Sequence, residues 1–88
     1  MNMSPQILLV DDEPRFIDSL ESILHHFNYD CCKAHNGQDA VAMLAGRSFD
    51  LVLLDVALPD MSGLEIASFI KRSCPETIVV MLTGTRTP

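Results

Sequence analysis

Three aspartates and one threonine carry the chemistry this sequence offers: Asp11 and Asp12 as a pair, Asp55 after one apolar run, and Thr83 after another. Each follows a stretch whose composition suits a strand, so all four fall at strand C-terminal ends. Parallel strands bring those ends to one edge of the sheet. In open α/β sheets the functional crevice lies beyond that edge, where the strand order reverses. Three carboxylates gathered there repel one another unless a cation or hydrogen-bond donors offset their charge. A divalent ion is the natural partner. Hard oxygen ligands favour Mg²⁺, which takes one or two carboxylates, backbone oxygens and waters, and leaves places for a phosphoryl oxygen.

The elements that must position these residues alternate along the chain. Ile7-Leu8-Leu9-Val10 suits a strand buried on both faces, and Glu13-Pro14 opens a helix. Phe16, Leu20, Ile23 or Leu24, and Phe27 recur at helical spacing as its inner stripe, and Asn28 suits a left-handed stop. Cys31 to Ala34 reads as an edge or near-edge strand, Asn36-Gly37 as a turn, and Gln38 to Leu44 as a helix burying Ala40, Val41 and Leu44. Phe49 to Asp55 is the strongest strand and should be central. Pro59-Asp60-Met61-Ser62-Gly63 has turn chemistry and leads into a helix from Leu64 to Arg72, with Ile66, Phe69 and Ile70 inward. After Cys74-Pro75-Glu76, the segment Thr77 to Leu82 is a β-branched strand. Strict alternation predicts right-handed crossovers and an α/β fold with a doubly wound parallel sheet.

Composition bounds the function. Eighty-eight residues allow one domain, and 12 Asp and Glu against 6 Lys and Arg leave a formal charge of −6. That balance argues against the basic face that phosphate-backbone binding requires, so no direct nucleic-acid contact is expected of this segment. No apolar run approaches the roughly 18 residues of a membrane span. The start lacks a basic n-region, and a cytoplasmic location is expected. Three cysteines, two of them adjacent and none in CxxC spacing, suit reduced thiols rather than a disulfide framework. Neither GxGxxG nor GxxxxGK[ST] occurs, which disfavours nucleotide binding.

Val-Asp-Asp at 10–12, Leu-Leu-Asp at 53–55, Pro59 and Gly63 beyond that Asp, and Leu-Thr-Gly at 82–84 form an ordered set at strand ends, with Asn36-Gly37 also in place. Over essentially all 88 residues the chain resembles the receiver domain of two-component response regulators, of the chemotaxis-regulator kind. The resemblance implies a flavodoxin-like fold with strand order 2-1-3-4-5. It implies that Asp55 is the phosphoacceptor, attacking phosphorus in a phosphohistidine of a sensor histidine kinase or phosphotransfer protein, or in a small phosphodonor. It further implies that Asp12, Asp55 and the backbone carbonyl of Ala57 ligate Mg²⁺, with Asp11 acting mainly through water, and that the Thr83 hydroxyl senses the phosphoryl group. Ala57 and Thr85 would occupy the two positions that tune hydrolysis, and neither is an acid or base at neutral pH.

The resemblance stops at the fourth strand. A receiver continues into a further helix, a strand ending in Lys and a last helix, so the chain reads as a receiver domain truncated after its fourth strand. That strand would then be an uncovered apolar edge, ready to pair with another chain as a homodimer. A second reading follows: a truncated, non-phosphorylated receiver serving as an interaction or dimerisation module. Against the site stand plainer roles, Asp11 and Asp12 as helix-capping acids and Asp55 as a strand-ending turn residue. Their joint placement at two strand ends favours the cation site.

Overall fold

The apolar runs are short and bounded by Gly, Pro, Asn and Asp, and each settles into a five-residue strand: β1 (Gln6–Val10), β2 (Asp30–Ala34), β3 (Leu51–Asp55) and β4 (Ile78–Leu82). Between them lie the helices α1 (Pro14–His26), α2 (Gly37–Gly46) and α3 (Gly63–Ser73). The computed structural model describes residues 5–82. All strand pairs are parallel, in the order β2-β1-β3-β4. The chain moves outward from β1 to β2 and then crosses back to β3, so the order reverses between β1 and β3. The doubly wound α/β expectation holds.

Period-two alternation divides the sheet between two cores. Leu8, Val10, Val52 and Leu54 are buried on one face with Ala40 and Leu44 of α2 and Ile66 and Ile70 of α3. Leu8 pairs with Val52 and Val10 with Leu54, so this core is continuous across the reversal. Ile7 and Leu9 face the other way, against Ile17 of α1 with Leu20 and Leu24 beside it.

Leu20 and Leu24 of the expected α1 stripe pack against the sheet, and the rest of the stripe differs from the sequence expectation. Ile17 is the buried residue, whereas Phe16, Ile23 and Phe27 are 39%, 55% and 64% exposed. Ile17, Leu20 and Leu24 stand at i, i+3 and i+7, the spacing of one helix face, and they meet the sheet. Phe16, Ile23 and Phe27 follow one another at seven and four residues along an adjacent flank. On the opposite flank, Lys33 Nζ of β2 reaches Asp18 Oδ1 at 3.3 Å and Glu21 Oε1 at 3.0 Å. Burial of one apolar stripe sets the helix, with two partly exposed ion pairs adding little, and sequence spacing alone does not choose between stripes.

Other boundaries moved slightly. Asn28 has φ 68°, the left-handed stop its residue type suits, and α1 ends just before it. Phe49 precedes β3 rather than opening it, and is buried with the Arg47 guanidinium 5.1 Å above its ring. Among the described residues β4 is an outer strand, and its Ile78 and Val80 are 63% and 43% exposed. They continue the face of Leu51 and Leu53, their register partners. Among the described residues, no helix is long and apolar enough to cross a membrane.

Candidate functional site

The strand-order reversal places Asp11 and Asp55 side by side. Asp55 closes β3, Asp11 directly follows β1, and the preceding residues Val10 and Leu54 are register partners. Both carboxylates are 2% exposed, while Asp12, one residue on, is exposed at the mouth. One carboxylate oxygen from each of the three can be chosen so that all lie within 4.8 Å of one another.

The local chain holds these groups in place. The backbone N–H of Asp11 donates to the Ala34 carbonyl at 3.1 Å, which ties the end of β1 to the end of β2. Asp11 Oδ1 accepts from the Glu13 N–H at 2.9 Å, shaping the turn into α1. The helix cap itself is Glu13, whose carboxylate accepts from the Arg15 N–H. The capping role considered for the Asp11-Asp12 pair therefore falls to the next residue. Asp55 Oδ1 accepts from the Ala57 N–H at 3.2 Å.

Burying carboxylates is costly unless hydrogen bonds and an opposite charge offset the lost hydration. Two buried and one exposed carboxylate, all oxygen donors on one edge, match the preference of a hard divalent cation. The residues present thus fit Mg²⁺. Among the described residues this trio is the one group of His, Cys, Asp and Glu side chains placed to hold a metal ion. His25 and His26 sit at the C-terminal end of α1, and Cys31, Cys32 and Cys74 are free thiols away from the trio. Burial pushes the Cys31 thiol up, with Glu21 and Asp30 adding to the effect.

The loop after Asp55 is closed at its base. Ala57 and Ser62 form an antiparallel bridge, and the Gly63 N–H donates to the Val56 carbonyl at 2.7 Å. Ser62 and Glu65 then form a capping box at the start of α3. Gly63 is required by close approach: a Cβ there would overlap the Asp55 carbonyl oxygen and come within 3.0 Å of the Asp55 carbonyl carbon. Thr83 and Thr85 lie outside the described residues.

Sequence reasoning missed one participant on this edge. Asp60, treated only as a loop residue, accepts from the Gly37 N–H at 2.7 Å and the Gln38 N–H at 2.9 Å, so it caps α2 from a different element. Those two hydrogen bonds, the Gly37 one foremost, hold its carboxyl below the usual carboxylate range. The turn signal of Asn36-Gly37 was visible in the sequence. A partner 23 residues later was not, because only the fold brings the two loops together.

Residues 7–88 match the family model for the response regulator receiver domain. The response regulator protein PilR of Pseudomonas aeruginosa is 42% identical over 77 residues, 88% of this chain and 17% of that protein. A CheY-like receiver domain protein from Methanospirillum hungatei superposes with a TM-score of 0.90 at 31% identity, covering 96% of this chain and 67% of that one. The regulator TrrA of Thermotoga maritima, solved in complex with Mg(2+)-BeF, superposes with a TM-score of 0.87 at 34% identity, covering 93% of this chain and 71% of that one. The chain therefore spans less than a fifth of the length of PilR. By the family match across nearly its whole length and by its parallel four-stranded sheet, the chain belongs to the response regulator receiver domain family.

Proposed function

We propose that this receiver domain accepts a phosphoryl group on Asp55 in a Mg²⁺-dependent reaction, the donor being a phosphohistidine of a sensor histidine kinase or phosphotransfer protein. The observation that carries this reading is the convergence of Asp11, Asp12 and Asp55, with Asp55 buried at the end of β3. That TrrA, a relative of the same fold, was solved in complex with Mg(2+)-BeF supports the reading.

Asp11, Asp12 and Asp55, with the backbone carbonyl of Ala57, would hold the ion. When bound, Mg²⁺ offsets the repulsion between the aspartates and the phosphoryl oxygens and neutralises charge developing during transfer. An Asp55 carboxylate oxygen forms the new bond to phosphorus as the phosphorus–nitrogen bond of the phosphohistidine breaks. The bonding pair stays on the imidazole nitrogen, and the product is an aspartyl phosphate. The Ala57 N–H, held on Asp55 Oδ1, fixes that carboxylate's orientation within the buried strand end. Most of the rate gain is then positioning, since loose phosphoryl transfer asks little covalent chemistry of the protein.

The test is incubation with Mg²⁺ and acetyl phosphate followed by intact-mass measurement. A phosphoryl mass increment that vanishes in Asp55→Asn is expected, and a wild-type protein with no increment would contradict the proposal. Self-association through β4 is a separate proposal, supported by Ile78 and Val80, which are exposed on the outer strand among the described residues. Light scattering that finds only monomer at high concentration would dismiss it.

A further inference from the structure

The Asp60 carboxylate joins two loops that the phosphorylation chemistry alone does not require to touch. The first amides of a helix have no acceptor within it. In α2 these are met from two directions: Asn36 Oδ1 accepts from the Asp39 N–H at 2.7 Å, and the two carboxylate oxygens of Asp60 take the N–H groups of Gly37 and Gln38. A charged, two-pronged acceptor at the positive end of a helix is a strong form of this contact. Met61 seats beside it. A Cβ on Gly37 would overlap the Met61 side chain, with Sδ at 2.6 Å, so Met61 takes the space that a side chain at Gly37 would fill.

The loop from Val56 to Ser62 is thus fixed at both ends. Its base is held by the Ala57–Ser62 bridge and the Gly63–Val56 hydrogen bond, and its tip by Asp60 on α2. Ala57 belongs to the base anchor and stands three residues before Asp60, the tip anchor. Its N–H is bound to Asp55 Oδ1, so the placement of the Ala57 peptide and the orientation of the Asp55 carboxylate are linked.

We propose that Asp60 is a positioning residue for the cation site, acting through the 56–62 loop by clamping its tip to the first turn of α2. The proposal rests on reading the aspartate trio and the Ala57 carbonyl as the Mg²⁺ ligands. Without the Asp60 carboxylate the base of the loop remains bridged, but the tip is released, and the Ala57 peptide keeps only its bridge to Ser62 and its N–H on Asp55 Oδ1. Groups that orient metal ligands from outside the ligand set influence affinity by about 10–100-fold. A loss near the lower end is expected here, because the bridge persists.

Calorimetric titration of Mg²⁺ into the wild type, Asp60→Ala and Asn36→Ala tests this. Asn36 caps the same helix end, but its side chain bonds only within α2, so its loss reports destabilisation of the helix without release of the loop. Asp60→Ala should weaken Mg²⁺ binding about 10-fold, and Asn36→Ala should bind as the wild type does. In the absence of metal, amide hydrogen exchange at Ala57 and Ser62 should quicken in Asp60→Ala and not in Asn36→Ala. Equal Mg²⁺ affinity for the wild type and Asp60→Ala would overturn the positioning role while leaving the cation site intact. Equal weakening by both variants would overturn it too, as a general effect of α2. A wild-type protein that binds no Mg²⁺ would overturn the cation reading and the positioning role together.

Discussion

Gly63 lies against the carbonyl of Asp55 so closely that no side chain fits between them. The first residue of α3 is thereby packed on the end of β3, and the helix starts directly behind the buried carboxylate. The capping box of Ser62 and Glu65 holds that helix start in place, and the Gly63 N–H closes the loop onto Val56.

Gly63→Ala should therefore be costly although it adds a single carbon. The atoms it meets are backbone, which cannot move aside as a flexible side chain would, and overpacking of this kind costs about 1–3 kcal/mol. Urea denaturation would show a lower midpoint with an unchanged slope. A variant as stable as the wild type would show that α3 can shift away from β3.

The rotation of α1 gives a second prediction. Ile17 is fully buried beneath the helix, whereas Phe27 is 64% exposed. Ile17→Ala should cost about 2–5 kcal/mol, in the range of large-to-small core substitutions. Phe27→Ala should fall within about 0.5 kcal/mol of the wild type, as exposed substitutions do. Thermal or urea unfolding ranks the two, and the reverse ranking would mean that the phenylalanine flank faces the sheet.

Asp60 gives a pH dependence of known sign. Its carboxyl is held below the usual range by hydrogen bonds from Gly37 and Gln38, so the folded state binds that proton less readily than the unfolded chain. Its contribution is present above the unfolded value, about pH 4, and is lost as pH falls through the depressed folded value. The stability difference between the wild type and Asp60→Asn, read from urea midpoints, should be full near neutrality and shrink from about pH 4 downward. A difference that does not change with pH would show that the charge on Asp60 is not what holds α2.

Much of this fold was legible because the signals were local. Ile7 to Val10 and Leu51 to Leu54 are apolar runs too short for helices, each ends in an acid, and Asn28 marked a helix end by its tolerance of positive φ. The convergence of Asp11, Asp12 and Asp55 was legible because parallel strands carry their C-terminal ends to one edge. The facing stripe of α1 was legible only in part: Leu20 and Leu24 face the sheet as expected, whereas Phe16, Ile23 and Phe27 are as apolar as the buried Ile17, and spacing alone does not separate the two flanks. Asp60 escaped notice because its partners Gly37 and Gln38 are distant in sequence, and their pairing exists only once α2 and the loop after β3 share an edge.

The aspartate trio is the centre of the account, and locating the phosphoryl group tests it most directly. After incubation with acetyl phosphate, peptide mapping by mass spectrometry should place the group on Asp55 when Mg²⁺ is present and find none when the metal is chelated. Phosphorylation on another residue, or labelling of Asp55 undiminished by chelation, would contradict it.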